Sequence, residues 1–488
     1  MSSAENIFLQ YLNYFELFLI LSREIPDIKL HPVYLYFSPY RGDSQQNLQA
    51  NLSSDNIDDL VMNYFASTSK SMASLVKVSS LYFAEKRRNY ESQSQGYQTA
   101  WSNDKEVKLV TKYLKKLGYS WDLKLKNKNK NIYEIMLPKD DRDFYIGQAS
   151  SGEKEIINFL FGIFAFNIKN GLIIVDEAEL HLHPKWQSIL IELFIDLSKD
   201  TGNQFILSTH SAVFINETTI SNIIRIYKEN NTSNAIAISK NNLNKTKDLL
   251  HIINSHNNEK MFFADKVVLV EGVKDRLIFQ KIIDIYSSEF IEKPEIIEVL
   301  EVLGKSNLIK YREFLDLIKV KNYIIADNDY ILTIGDEDVK KLFTTDYQRI
   351  DKEVIKDKKS IDGKCLSEKM ENAIHTKNID ELQELWEYIK NRKQKRREEL
   401  TSQELPTLES FLNKNFQKKT YILEKGEIED YLPNGYKDLN QVIELVKDQS
   451  FLQRIDDVRK QEINKIVFDI LEIPCPKEEE IIQKLTFL

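Results

Sequence analysis

Cysteine is almost missing from this sequence. Cys365 and Cys475 are the two in 488 residues. They lie far apart and neither has a metal-ligand spacing, so no disulfide framework is implied. That usage fits a reducing, cytoplasmic setting. Glycine and proline are scarce, at 14 and 10, which excludes collagen-like and Pro/Gly-rich low-complexity chains. No apolar run is long enough to span a membrane. The strongest, Ile7 to Leu21, is short and carries Gln10, Asn13 and Glu16, so it predicts a buried or amphipathic helix. The start shows no basic n-region and no small-residue cleavage site. Positive charge is not in surplus either: 67 Lys and Arg against 75 Asp and Glu give −8. Any nucleic-acid contact must therefore come from local patches. The length predicts two or three domains, each able to bury a core.

What is present begins with Gly171 to Pro184, GLIIVDEAELHLHP. The short apolar run Leu172 to Val175 predicts a buried strand of a parallel sheet. It runs straight into Asp176 and Glu177, at the strand end where ligands of such sheets bind. One acid can hold Mg2+ through water while the other activates a water. Upstream, Ser150-Ser151-Gly152-Glu153-Lys154 predicts a helix start, with Ser as N-cap and Glu in the first turn. Downstream, Phe205 to Leu207 predicts a second buried strand with the polar tip Ser208-Thr209-His210-Ser211. His181 and His183 are too isolated from further His or Cys to read as a zinc site. Taken in this order, the motifs resemble the ATP-binding-cassette ATPases of the SMC-like and OLD-family branch. The resemblance implies that Ser150, Ser151, Gly152 and Glu153 form the signature loop. It implies Asp176 as the Mg2+ ligand, Glu177 as general base and His210 as the γ-phosphate sensor.

Such cassettes need a phosphate loop, G-x-x-x-x-G-K-[ST], whose amides and lysine hold the phosphates. The chain has none. Gly304-Lys305-Ser306 is its sole GKS and lacks the upstream glycine. Three explanations stand: a truncated or misassigned start, which is favoured, a loop supplied by another polypeptide, or a cassette that does not hydrolyse ATP.

A second acidic set lies further on. Lys266 to Val270 predicts another buried strand, ending at Glu271-Gly272, with Asp275 at the start of the next helix. Asn322 to Ala326 predicts a further strand, ending at Asp327-Asn328-Asp329. Read as an extended segment, it would point Asp327 and Asp329 the same way, toward one metal. Between the two acidic strands the pattern is helix, strand (Ile296 to Val302), helix. This resembles a TOPRIM domain, and the later run Tyr421 to Leu432, containing GEIEDYL, resembles the matching segment of OLD-like TOPRIM domains. The resemblance implies that Glu271, Asp275, Asp327, Asp329 and Glu427 or Glu429 hold one or two Mg2+ or Mn2+ ions, Glu271 and Asp327 being catalytic. Asp275 departs from the Glu usual at its place. Alternation on a strand would put Glu427 and Glu429 on one face. A basic residue near the scissile phosphate is also implied, with Lys437 and Lys447 as candidates.

The remaining segments are less specific. Residues 60–130 predict a helical insertion whose Lys105 to Lys130 stretch is basic, with Tyr113, Tyr119 and Trp121 interleaved. Residues 335–415 predict a charged helical insertion, and Lys390 to Arg397 (KNRKQKRR) is the most basic stretch. Each reads either as a solvated face or as a phosphate-backbone contact. The last forty residues predict helices without chemistry.

The fold class expected is α/β: an ABC-type ATPase domain over 1–260, incomplete at its N-terminus, then a TOPRIM domain over 261–440, then a helical segment over 441–488. The order resembles OLD-family nucleases. That resemblance implies a metal-dependent DNA endonuclease controlled by its ATPase half, using ATP with Mg2+ if a phosphate loop is supplied. It also implies a homo-oligomer formed through the ATPase domains, in which Ser151 and Gly152 would act on the partner's ATP. Anti-phage defence, Gabija-like or retron-linked, is the implied setting. A reverse transcriptase with its small DNA, or a helicase, would be the implied partner. The rival reading is a scaffold that restrains the nuclease until a trigger releases it.

Overall fold

The computed structural model describes residues 34–39, 50–66, 72–93, 96–127, 129, 131–138, 145–148, 150–166, 168–229, 232–238, 258–293, 295–351, 361–433, 438–448, 452 and 455–485. The expected helix at Ile7 to Leu21 lies outside them, as do Lys128, Lys130 and Lys437. The chain packs as two compact units, 1–215 and 216–488.

In the first unit three parallel strands lie side by side: β1 (Tyr34–Phe37), β2 (Leu172–Val175) and β3 (Gln204–Leu207), with β2 in the centre. The apolar run of β2 puts Ile173 and Val175 at 0% exposure. Helix α1 (Ser151–Ala165) lies on this core through Phe159, whose ring meets Phe37 edge-on at 4.7 Å. The core also takes in buried residues of helices Met72–Gln93 and Lys105–Lys116. An antiparallel sheet of Ala50–Asn51, Asp122–Asn127 and Ile132–Met136 accompanies them.

The aromatics of the first basic stretch belong to this interior. Tyr113 and Tyr119 are 0% and 3% exposed, so they are core residues and offer no stacking platform. Lys112 pairs with Asp200 at 2.6 Å, and Lys116 with Asp196. Both acids belong to helix α2 (Pro184–Thr201), so part of the basic charge is already neutralised.

The second unit is built on four parallel strands in the order β5–β4–β6–β7. They are β4 (Lys266–Val270), β5 (Ile297–Glu301), β6 (Lys321–Ala326) and β7 (Thr420–Ile422). Every residue of β4 is buried: Val267 to Val270 are the apolar run, and Lys266 at its start pairs with Glu295 at 2.8 Å. Helix α3 (Val273–Phe290) covers one face and shares its core with residues of the C-terminal helices, among them Val442, Leu445, Val467 and Phe468. The hairpin Ile224–Glu229/Thr232–Ala237 belongs to this unit. Its Arg225 guanidinium donates to the carbonyls of Phe262, Ala264, Ile318 and Lys319. The charged insertion is not wholly helical: Phe343–Thr345 pairs antiparallel with Gln394–Arg396. The basic stretch Lys390 to Arg397 therefore runs from a helix end into a strand, and is not one helix face.

Among the described residues no helix is long and apolar enough to cross a membrane.

Candidate active site

Parallel pairing aligns the strand ends of the second unit. β4 and β6 are neighbours, with Val267 opposite Asn322, so Glu271 and Asp327 emerge side by side. Asp327 keeps extended backbone, but Asn328–Tyr330 turns into a 3-10 helix. The sharing of one site by Asp327 and Asp329 thus comes from this turn, not from alternation along a strand. Glu271, Asp327 and Asp329 each offer an oxygen, all within 4.8 Å of one another.

Asp275 sits in the first turn of α3 and accepts from the Gly272 amide at 2.9 Å. Glu427 and Glu429 arrive from the segment after β7. That segment is a turn followed by the 3-10 helix Ile428–Asp430, with Glu427 as its cap, so the strand-face expectation is corrected. The two acids have different partners instead. Glu427 accepts from Arg349 at 2.7 Å, and Glu429 from Lys274. Asp329 is paired with Lys305 through Oδ2.

Burial raises the pKa of Asp327, and Asp275, Glu271, Glu427 and Asp329 raise it further by repulsion. Burial likewise raises Asp275 against the opposing help of the Gly272 amide, with Glu429, Glu271 and Glu427 adding to the rise. Glu271 and Glu427 are pushed up for the same first reason, countered in part by Lys305 and Arg349. Carboxylates crowded this way favour protonation unless a cation joins them. Asp329 Oδ1 is buried and has no hydrogen-bond partner. An orphaned carboxylate oxygen inside an acidic triad suits a hard divalent cation.

Lys274, Lys305 and Arg349 were missed at the sequence level. Lys305 carried a usable signal, since it follows the end of β5 at the same sheet edge as Glu271 and Asp327. In the sequence it reads only as part of a GKS that lacks the upstream glycine of a phosphate loop. Lys447, one of the two lysines singled out, ends helix Leu439–Lys447.

The first unit arranges its acids differently. Asp176 Oδ2 accepts from the Tyr36 hydroxyl at 3.1 Å, and its Oδ1 accepts from the Ser208 hydroxyl. The Ser208 Oγ also accepts from the Glu177 amide at 2.8 Å. Glu177 and His181 both have left-handed backbone, φ 48° and 61°, uncommon for residues with a Cβ. Glu179 Oε1 accepts the His210 amide at 2.6 Å, which ties the loop after β2 to the tip after β3. His183 caps α2 by accepting the Lys185 amide.

At the start of α1, Ser150 and Glu153 form a reciprocal capping box, and Tyr119 donates to Glu153. The side chain of Ser151 lies outside the described residues. A Cβ at position 152 would meet the His181 carbonyl oxygen at 2.9 Å. Close packing on the loop after β2 therefore requires Gly152 to be glycine.

Comparison with known proteins matches both units. A family profile described as an AAA domain of a Type IV TA system covers residues 14–216. A second, "Overcoming lysogenization defect protein-like, TOPRIM domain", covers residues 262–329. The Old nuclease of Escherichia phage P2 is 28% identical over 221 residues, which is 43% of this chain and 37% of that protein. Endonuclease GajA of Bacillus cereus (strain HuB5-5) is 26% identical over 203 residues, 37% of this chain and 29% of its own. Septu protein PtuA of Bacillus thuringiensis is 28% identical over 109 residues, 20% of this chain and 27% of its own. The chain spans well under half the length of each of these relatives. The chain therefore carries an AAA-type ATPase domain followed by an OLD-like TOPRIM domain, and it is similar to the Old nuclease and to endonuclease GajA.

Proposed function

We propose that this protein is a metal-dependent DNA endonuclease whose TOPRIM unit cuts phosphodiester bonds and whose ATPase unit controls the cutting. The observation that carries this reading is the triad Glu271, Asp327 and Asp329, with oxygens within 4.8 Å and the Asp329 Oδ1 orphaned. Mg2+ or Mn2+ held there would polarise the phosphate and lower the pKa of an attacking water. Asp275, Glu427 and Glu429 complete a set of six neighbouring carboxylates, against the three cations Lys274, Lys305 and Arg349. The excess of three negative charges supports two divalent ions, because two ions and one phosphodiester anion balance it. In the reaction a water oxygen bonds to phosphorus and the P–O ester bond opposite breaks. One proton leaves the water, and the departing alkoxide takes one up.

Control by ATP rests on Asp176, Glu177 and His210, with Mg2+-ATP bound once a phosphate loop is supplied. The partners in this reading are DNA and further copies of the chain through the ATPase units. Its setting is anti-phage defence, alongside a partner such as a reverse transcriptase with its small DNA, or a helicase.

The test is incubation of supercoiled plasmid with Mn2+ or Mg2+. Wild type is expected to nick or cut. Glu271→Ala and Asp327→Ala should each lose about 10³-fold in rate, as the loss of several kcal/mol of charge stabilisation requires. Equal cutting by both variants would sink the assignment.

The rival reading, a scaffold that restrains the nuclease until a trigger releases it, is separated from this one by ATP turnover. Turnover of Mg2+-ATP by the purified protein would exclude the scaffold.

A further inference from the structure

Arg349 differs in origin from the other two cations at the acids. Lys274 and Lys305 sit on the strand-to-helix turns of the sheet itself, whereas Arg349 is brought in by the insertion after β6. Its backbone is well held. Asp346 caps the one-turn helix Tyr347–Ile350 by accepting the Arg349 amide at 3.0 Å. The Asp346 amide donates to the Lys393 carbonyl at 2.7 Å. Strand Phe343–Thr345 is paired to Gln394–Arg396, which in turn packs on the turn Asn328–Tyr330 that carries Asp329. The insertion is thus clamped to the metal loop and delivers one guanidinium over the carboxylates.

That guanidinium holds Glu427 at 2.7 Å, with both side chains about one-third exposed. Its charge is also felt by Glu271. An ion coordinated by Glu427 must compete with it for the same oxygens. A guanidinium released from a carboxylate keeps its planar fork of donors, which matches the non-bridging oxygens of a phosphate.

We propose that Arg349 is a substrate-facing residue that exchanges partners: it gives up Glu427 to the second divalent ion and takes a non-bridging oxygen of the scissile phosphate. This rests on the nuclease reading above. The exchange makes two predictions of opposite sign for Arg349→Met. The weaker of two Mn2+ affinities should rise about 10-fold, because a charge-assisted competitor is gone. Plasmid cutting at saturating Mn2+ should fall about 10²-fold, because a donor to the transition state is gone. Arg349→Lys should keep the competition and recover part of the cutting. Mn2+ binding is read from the electron paramagnetic resonance signal of free Mn2+, which needs no cleavage.

Parallel loss of metal binding and cutting would mark Arg349 as merely structural and overturn the exchange. Unchanged Mn2+ affinities in Arg349→Met would overturn it too. A wild-type protein that cuts no DNA, while Arg349→Met still tightens Mn2+, would sink the nuclease reading and leave the competition for Glu427 supported.

Discussion

The chain places acids at the ends of two parallel sheets, and the two sets are handled in opposite ways. Asp176 is surrounded by hydroxyls: Tyr36 and Ser208 both donate to it. The acids from Glu271 to Glu429 are surrounded by one another, with three cations at the rim. A carboxylate whose oxygens are already accepting hydrogen bonds is oriented in place. Crowded carboxylates with an orphaned oxygen lack charge balance and favour a cation. The first arrangement is set to respond to a ligand brought from elsewhere. The second suits a metal ion, as the proposed function requires.

The contrast can be broken most forcefully at Asp327. Asp327→Asn should weaken Mn2+ binding by about 10²-fold or more, the range of losing one charged ligand. Measured at neutral pH without added divalent ion, the same variant should melt a few °C higher, because an amide needs neither a buried charge nor the uphill protonation that Asp327 requires. The sign follows from the raised pKa. A carboxyl held protonated contributes stability that is lost as pH rises through its raised range. By the same linkage, wild-type Mn2+ affinity should keep climbing with pH well above about 5, where ordinary carboxylates have finished titrating. A plateau reached by that pH would contradict the repulsive cluster.

A smaller effect is expected in the first unit. Asp176→Ala removes the acceptor of two hydroxyl hydrogen bonds, from Tyr36 and Ser208, and should cost about 1–2 kcal/mol in denaturant unfolding. Metal-dependent cutting without ATP should stay within about twofold of wild type, a change under 0.5 kcal/mol. A loss of cutting as large as that of Glu271→Ala would erase the distinction between the two sites.

The smallest effect concerns the capping box. Ser150→Ala should cost about 1 kcal/mol of stability, measured by chemical denaturation. No change would mean that Ser150 is held for a ligand and not for its helix.

Strands β2, β4 and β6 were legible because an apolar run ending in acids has few other solutions in an α/β chain; the reading of β3 as buried fails, since Ile206 is 49% exposed. The start of α1 was legible for a similar reason, since Ser150 and Glu153 have the spacing of a capping box. The segment after β7 was not. GEIEDYL alternates in polarity like a strand, yet Gly426 has φ 130° and the following residues form a 3-10 turn. Tyr113 and Tyr119 were ambiguous in sequence, since an aromatic between lysines suits a core and a stacking platform equally well. Their burial settles them as core residues.

The sequence alone determined which residues could carry charge to the strand ends, because strand burial and acid placement are local properties. It determined the pairing of ATPase and TOPRIM motifs for the same reason. Only the tertiary structure decided which cations meet those acids. Lys305 lies beyond a neighbouring strand and Arg349 within an insertion, so their meeting with Asp329 and Glu427 depends on strand order and on the antiparallel pair Phe343–Thr345/Gln394–Arg396 packed on the turn that carries Asp329. Contacts across such sequence distances leave no periodicity to read, and they are fixed only when the sheet is assembled.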